Sequence, residues 1–411
     1  MTATALQQEE HLPEAIVCKW CGKSFHYLKS HISMGRCENI PESAKGLDVD
    51  EVVKMYTSAF PDEPTISRTA LAKLNEKRAE KHSGEGKVAE ISAHPGYAGT
   101  VEYKTELVAA HELLGITIKE LGTPRGKPLQ VTVNVNTPYP EFVPEAKKNY
   151  VYGDFDLIKD IFMMLEIGIP GYLWGHAGTG KSSLPTQLCA LLNRPLIRAQ
   201  HTASMEEAHV TGQILAHDGS TYFEPGLLAL AMKNGWVYLA DEYDFAFPQI
   251  LGVYQPVLEG EPLIIKEATA DWRRITPHKR FAFIGTGNTN GSGDETGLYQ
   301  GTNIQNAANF SRFGIVSNVK YMSTKAEVNM LAEAGVIREY AEKMVKFANL
   351  IREGYEKHQI SQPIGPRELL LSAKIGMMRG DFSAGIEKSF INKLPSTSAQ
   401  AAREVVQKIF G

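Results

Sequence analysis

The sequence predicts an α/β fold: a parallel sheet sandwiched by helices, closed by a C-terminal helical region and preceded by a small cysteine-histidine unit. Three observations predict it. Short apolar runs recur at Gly171–Trp174, Pro195–Ala199, Trp236–Ala240, Phe281–Thr286 and Ile315–Val319, with helical segments between several of them. Strands alternating with helices imply a parallel sheet covered on both faces. The first run leads into GHAGTGKS, Gly175 to Ser182, a glycine-rich loop that opens a helical stretch. After residue 324 the strand-like runs stop, and Ile337, Tyr340, Met344, Phe347, Ile351 and Tyr355 recur at three- and four-residue spacing, as on one helix face.

Composition sets the outer bounds. At about 150 residues per domain, 411 residues make two or three domains. A chain with 43% hydrophobic and 22% charged residues is neither fibrous nor wholly disordered. The 43 basic and 47 acidic side chains leave a net charge of −4, which excludes a uniformly basic nucleic-acid coat but permits a local basic patch. The N-terminus, MTATALQQEEHLPE, is too polar for a secretory leader. The longest apolar stretch, Leu157 to Trp174, is interrupted by Lys159, Asp160 and Glu166, so no membrane span is expected and a cytoplasmic protein is.

Along the chain, residues 1–14 read as a disordered tail and 15–82 as a zinc-finger-like domain, with helical spacing in 46–60 and 68–82. Residues 83–100 are rich in glycine and small side chains and read as a linker. An accessory segment, 101–150, contains the alternating run VTVNVNT at 131–137. The α/β core is expected over 151–323, and a helical lid with C-terminal helices over 324–411.

Three of the four cysteines fall in the first tenth of the chain, a pattern of metal ligation rather than of a disulfide framework. In CKWCGKSFHYLKSHISMGRC the spacing is Cys18-x2-Cys21-x9-His31-x5-Cys37. Two cysteines in a tight turn, then a histidine and a cysteine from a helix, can close a tetrahedral Zn²⁺ site. Phe25 and Leu28 are spaced to build a miniature core under it, and His26 is a competing ligand. Lys19, Lys23, Lys29 and Arg36, with no acid between Cys18 and Cys37, permit contact with DNA phosphates and serve protein docking equally well. Cys189 stands alone among apolar neighbours and reads as core.

The loop at Gly175 carries the chemistry of triphosphate binding. Glycines let backbone N–H groups converge on phosphate oxygens, and the helix that follows turns its positive end toward them. Gly175, His176, Ala177, Gly178, Thr179, Gly180, Lys181, Ser182 and Ser183 are the candidate ATP-binding residues. Lys181 would reach the β- and γ-phosphates, and the Ser182 hydroxyl would ligate Mg²⁺. His176 fills a free position of the pattern and is given no catalytic role. Pro185 is expected near the second turn of the helix, where it removes a donor.

WVYLADE ends an apolar run in two carboxylates. Asp241 would hold Mg²⁺ through water, and Glu242 would polarise the attacking water as a general base. Asn288, at the end of the FAFIGT strand, would orient that water. Arg312 and Arg367 are candidates for stabilising transition-state charge, in cis or from a neighbouring subunit; from chemistry alone each reads equally well as a surface arginine.

Taken in order, GHAGTGKSS, FEPGLLALAMKNGWVYLADEYD, FAFIGTGNTNGSGDETGLYQGT, NFSRFGIV and GPREL resemble the AAA+ ATPases of the MoxR group. Within that group they resemble the CobS type of the aerobic cobaltochelatase, over residues 141–380. The resemblance implies an AAA+ P-loop NTPase with a five-stranded parallel sheet and a helical lid. Gly175–Ser182 would be its Walker A loop, Asp241 and Glu242 its Walker B pair and Asn288 its sensor 1. Arg312 would be an arginine finger acting on a neighbour, and Arg367 sensor 2. Residues 214–226 resemble the family's helix-2 insert, and 263–283 its pre-sensor-1 hairpin. Such proteins work as homo-oligomeric rings, usually hexamers, with ATP between subunits. The CobS type implies a VWA-domain, CobT-like partner and cobalt insertion. The N-terminal unit resembles instead a Ros/MucR-type zinc finger (CxxCGKxFxxLxxH), with Cys37 where a second histidine is usual. The rival reading is a DNA-binding regulatory or phage-encoded ATPase whose zinc finger recognises nucleic acid.

Overall fold

The computed structural model describes residues 12–61, 63–70, 73, 101–123, 126–217 and 220–411. The expected linker at 83–100, most of the 68–82 segment and the tail up to residue 11 lie outside the described residues. The chain divides into two compact units, Met1–His94 and Pro95–Gly411.

In the first unit, β1 (Ile16–Val17) and β2 (Ser24–Phe25) form an antiparallel hairpin, followed by α1 (Leu28–Ser33) and α2 (Val49–Ala59). The hairpin turn is closed by Gly22 N donating to Cys18 O at 2.8 Å, with Gly22 in left-handed backbone that suits glycine. Asp48 and Glu51 form a capping box at the start of α2. Phe25, Leu28, Ile32, Val52 and Tyr56 make the core of this unit. Pro13 and Glu14, assigned above to the tail, belong to it: their carbonyls accept from Arg68 N at 3.0 Å and Thr69 Oγ1 at 3.1 Å.

The second unit opens with an antiparallel pair, β3 (Thr105–Ala109) and β4 (Gln130–Asn134). There follow α3 (Phe155–Ile167), β5 (Gly171–Trp174), α4 (Ser183–Leu191), β6 (Leu196–Gln200), the hairpin β7 (Gly212–His217) and β8 (Ser220–Pro225), α5 (Leu227–Asn234) and β9 (Val237–Asp241). A second hairpin, β10 (Leu263–Ile264) and β11 (Arg274–Ile275), precedes β12 (Ala282–Gly287) and β13 (Ile315–Asn318). The central sheet has the order β13-β5-β12-β9-β6, every pair parallel. Its middle strands are buried along their whole length, as a sheet covered on both faces requires. Leu239 and Ile284 face α3 and α4, while Tyr238 and Phe283 face α5. The accessory segment joins this core through Ala110, Leu121 and Val131. Cys189 is buried there too.

The C-terminal helices are α6 (Thr324–Glu333), α7 (Arg338–Glu356), α8 (Pro366–Arg379), α9 (Phe382–Ser389) and α10 (Ser396–Phe410), packed around their own apolar centre. One detail corrects the sequence reading. The helix begins at Arg338, so Ile337 precedes it and is exposed, and Tyr340 lies off the buried stripe, stacked on Phe382. Met344, Phe347 and Ile351 are buried as the spacing predicts, and Ala341, Val345 and Ala348, which the pattern did not mark, complete the stripe. Among the described residues, no helix is long and apolar enough to cross a membrane.

Candidate functional site

In a parallel sheet the loops that leave the C-terminal strand ends form one crevice. Here β5 leads into the glycine loop, β9 ends at Asp241, and β12 runs into Asn288. Gly178 and Gly180 have φ of 80° and 103°, backbone that other residues resist. At Gly175 a Cβ would meet Val319 O at 2.5 Å. The backbone N–H groups of Gly178, Gly180, Lys181 and Ser182 have no acceptor among the described residues. Unpaired amides at the head of a helix are a built anion site, so the loop fits a phosphate chain. Pro185 is the third residue of α4, in the first turn rather than the second, where helices have no partner for a backbone N–H.

Lys181 is nearly buried. Its Nζ donates to Gly175 O at 2.7 Å, His176 O at 2.9 Å and Asn288 Oδ1 at 3.1 Å. Burial pulls its pKa down to about 8, against the opposing pull of Asp244, Glu242 and Asp241. Ser182 Oγ donates to Asp241 Oδ1, which also accepts from Thr286 Oγ1 at 2.5 Å. Arg198 closes on Asp241 Oδ2 through Nε at 2.7 Å and through Nη2. Burial opposes ionisation of Asp241, but the hydroxyls and Arg198 outweigh it and hold its carboxyl below the ordinary value. An ionised carboxylate beside a hydroxyl is the hard-oxygen donor set that Mg²⁺ takes, so Ser182 and Asp241 fit that ion.

Glu242 sits just past the strand in left-handed backbone, φ 53°, with its N–H donated to Thr286 Oγ1 at 3.2 Å. Burial, then the charges of Asp241 and Asp244, raise its pKa, which moves a carboxylate toward general-base strength. Asp244, which the sequence reading passed over, is fully buried. Its Oδ2 accepts from Asn288 N at 2.8 Å, Thr289 N at 2.9 Å and Thr289 Oγ1 at 3.0 Å, and so pins the turn that presents Asn288.

The lid meets the loop. A Cβ on Gly178 would lie 3.4 Å from Arg367 Cβ, and one on Gly365 would lie 2.8 Å from Ala177 O. His176 is held by aromatics from three separate segments. Its Nδ1 lies 2.9 Å from Tyr299 Oη, its ring stacks on Tyr321, and Tyr355 meets it edge-on. A cavity of about 220 Å³ beside the loop is lined by Trp174, His176, Asn288, Asp294 and Tyr299 among others. The sequence held no spacing signal for the tyrosines, nor for Arg198 and Thr286, which strand order alone brings to Asp241.

Arg312 stands apart. It precedes the N-terminal end of β13, opposite the end that carries the loop, and its Nε donates to Glu259 Oε1 at 2.7 Å.

In the first unit, the donor atoms of Cys18, Cys21, His31 and Cys37 lie within 4.8 Å of one another. Cys18 Sγ and Cys37 Sγ are 3.8 Å apart, and Cys21 Sγ is 3.3 Å from His31 Nε2. Two thiolates each ~2.3 Å from a tetrahedral Zn²⁺ stand ~3.8 Å apart, so the cluster fits that ion. Burial, then the Cys18 sulfur, raises the Cys37 thiol pKa, and a coordinated cation acts in the opposite direction. Cys37 comes from the loop after α1, not from the helix as expected. His26 is not in the cluster; its Nδ1 contacts Glu14 O and Ser67 Oγ, both at 3.1 Å. The basic side chains are largely paired. Lys19 meets Glu63 at 2.7 Å, Lys29 meets Asp50 at 2.6 Å, and Lys23 meets Glu38.

Similarity to known sequences agrees with this geometry. Residues 172–302 match the family described as AAA domain (dynein-related subfamily). The chain is 32% identical over 249 residues to aerobic cobaltochelatase subunit CobS of a Sinorhizobium species, spanning 58% of this chain and 74% of that protein. It is 23% identical over 265 residues to an uncharacterized protein of Staphylococcus aureus (strain NCTC 8325 / PS 47), spanning 62% of this chain and 96% of that protein. Among solved structures, the Thermotoga maritima RuvB Holliday junction branch migration motor aligns over 64% of this chain and 72% of that one, at 14% identity and a TM-score of 0.36.

Proposed function

This chain belongs to the AAA+ ATPases of the MoxR and CobS type and hydrolyses ATP; from that premise we propose that it works as a homo-oligomeric ring, a hexamer, whose turnover remodels a partner complex. The observation that carries the reading is the convergence of Lys181, Ser182, Asp241, Glu242 and Asn288 at three adjacent strand ends. In this reading the loop amides and Lys181 bind the triphosphate, Ser182 and Asp241 hold Mg²⁺, Glu242 takes the proton of the attacking water, and Asn288 orients it. Mg²⁺, when bound, supplies charge neutralisation at the β- and γ-phosphate oxygens.

Arg312 supports the ring. In its own chain it lies at the far end of the sheet from the loop, so it can serve an active site only by reaching a neighbour's. Arg367 opens the lid helix beside Gly178 and would report on the same phosphate from within the chain. The partner follows from the likeness to a chelatase subunit: a VWA-domain, CobT-like protein that presents a metal for insertion, with cobalt as cargo. The N-terminal Zn²⁺ unit docks such a partner, 101–150 brace the core, 151–323 carry catalysis and 324–411 form the lid. Against recognition of DNA by the zinc unit stands the pairing of Lys19, Lys23 and Lys29 with acids, which leaves little free charge for phosphates.

Titration calorimetry with ATP and Mg²⁺ tests the site, and Glu242→Gln tests the chemistry. The variant is expected to bind ATP as wild type does and to lose at least about 100-fold in turnover. Capture of a VWA-domain subunit by that variant, with ATP present, supports the partner. Wild-type turnover in Glu242→Gln overturns the catalytic assignment.

A further inference from the structure

Arg198 lies on β6 two residues before the strand end. It pairs in register with Leu239, and Gln200 pairs with Asp241, so Arg198 and Asp241 share one face of the sheet. Its guanidinium reaches along that face to Asp241 Oδ2. With Ser182 and Thr286 on Oδ1, the carboxylate accepts four hydrogen bonds on two oxygens and is saturated. A divalent ion that uses this carboxylate, directly or through its water shell, must displace one donor.

The three donor residues differ in freedom. Ser182 is itself on the metal side of the loop. Thr286 is fully buried. The Arg198 side chain is 56% exposed, against 2% for Asp241, so it alone has solvent to move into. It is also the one donor that carries positive charge, and a second cation at the same oxygen repels it. Meanwhile a carboxylate this buried needs a partner, because an uncompensated buried charge is costly.

We propose that Arg198 is the exchangeable counter-ion of Asp241, a positioning residue that keeps the carboxylate oriented and gives up Oδ2 when a divalent metal arrives. The proposal rests on the reading of Ser182 and Asp241 as the metal-holding pair. Arg198 therefore competes with the metal, and this sets how much free Mg²⁺ the ATPase needs.

The test is Mn²⁺ binding to the full chain, followed by electron paramagnetic resonance of free Mn²⁺ in the presence of a non-hydrolysable ATP analogue. Arg198→Ala is expected to bind Mn²⁺ about three- to tenfold more tightly than wild type, the scale of one half-exposed ion pair. Arg198→Lys, which keeps the charge but not the fork, falls between the two. A merely structural arginine gives the opposite sign, because Asp241 loses its support. Unchanged or weaker Mn²⁺ affinity in Arg198→Ala, with circular dichroism matching wild type, overturns the proposal. If wild type itself takes up no Mn²⁺, the metal-site reading fails and this one with it; if wild type binds and Arg198→Ala does not tighten, only this one fails.

Discussion

Arg352 grips Glu327 with both terminal nitrogens, at 2.8 and 2.7 Å, in the interior of the helical lid. Its Nε donates to Ile364 O at 3.0 Å, and its Cζ lies 4.0 Å from the centre of the Tyr321 ring. Tyr321 in turn stacks on His176 of the glycine loop. A buried ion pair of the lid is thus one aromatic layer from the residues that would hold phosphate.

Removing one member of that pair strands the other. Arg352→Ala is expected to lower stability by about 3–5 kcal/mol, because Glu327 then keeps a buried charge without a partner. Joint replacement, Arg352→Met with Glu327→Leu, restores most of the loss. Urea unfolding of the three proteins measures this, and a loss below about 1 kcal/mol in Arg352→Ala would mean that water reaches the pair.

Acid should loosen the core through His201. It is buried against Tyr254 and the carbonyls of Ala199 and Asp241, and burial pulls its pKa down from 6.5 to about 4. Below pH 6.5 the unfolded chain takes up a proton that the folded chain refuses until about pH 4. The His201 contribution is therefore whole above pH 6.5 and lost as pH falls through that window, by about 3 kcal/mol. Stability curves for wild type and His201→Gln should differ in slope between those limits; parallel curves would remove His201 from the account.

The N-terminal unit should carry one Zn²⁺ per chain. Substitution with Co²⁺ is expected to give thiolate-to-metal absorption, and Cys37→Ser to lose the ion and the protease resistance of the unit together. Stoichiometric zinc retained by a Cys18→Ser, Cys21→Ser double variant would contradict the four-ligand assignment.

Arg312→Ala should reduce turnover on the order of 10³-fold, as loss of a charge-stabilising arginine does. Mixed with Lys181→Ala subunits, which keep Arg312, it should regain part of that rate. An intact assembly with no recovery would place Arg312 outside catalysis between subunits.

Contiguous chemistry was legible before the fold was known. Gly175–Ser182 and Asp241–Glu242 are consecutive residues, so their spacing carries their geometry. The five strands were legible because buried strands are continuous apolar runs, and each observed strand lies within one residue of its run. Arg198, Thr286 and Asp244 were not. They meet the site because β6, β9 and β12 are neighbours in the sheet while being far apart in sequence, and a lone arginine in a strand reads as a solvated side chain. The pairing of Lys19, Lys23 and Lys29 was not legible either, because Glu38, Asp50 and Glu63 lie outside Cys18–Cys37.

Trp174 closes β5 immediately before Gly175 and lines the cavity beside the loop, only partly covered. The other three tryptophans sit elsewhere: Trp20 in the N-terminal unit against Tyr56, and Trp236 and Trp272 in the core. The chain consequently carries its own optical gauge. Whatever settles beside that indole alters its emission without any dye attached, and Trp174→Phe supplies the dark control.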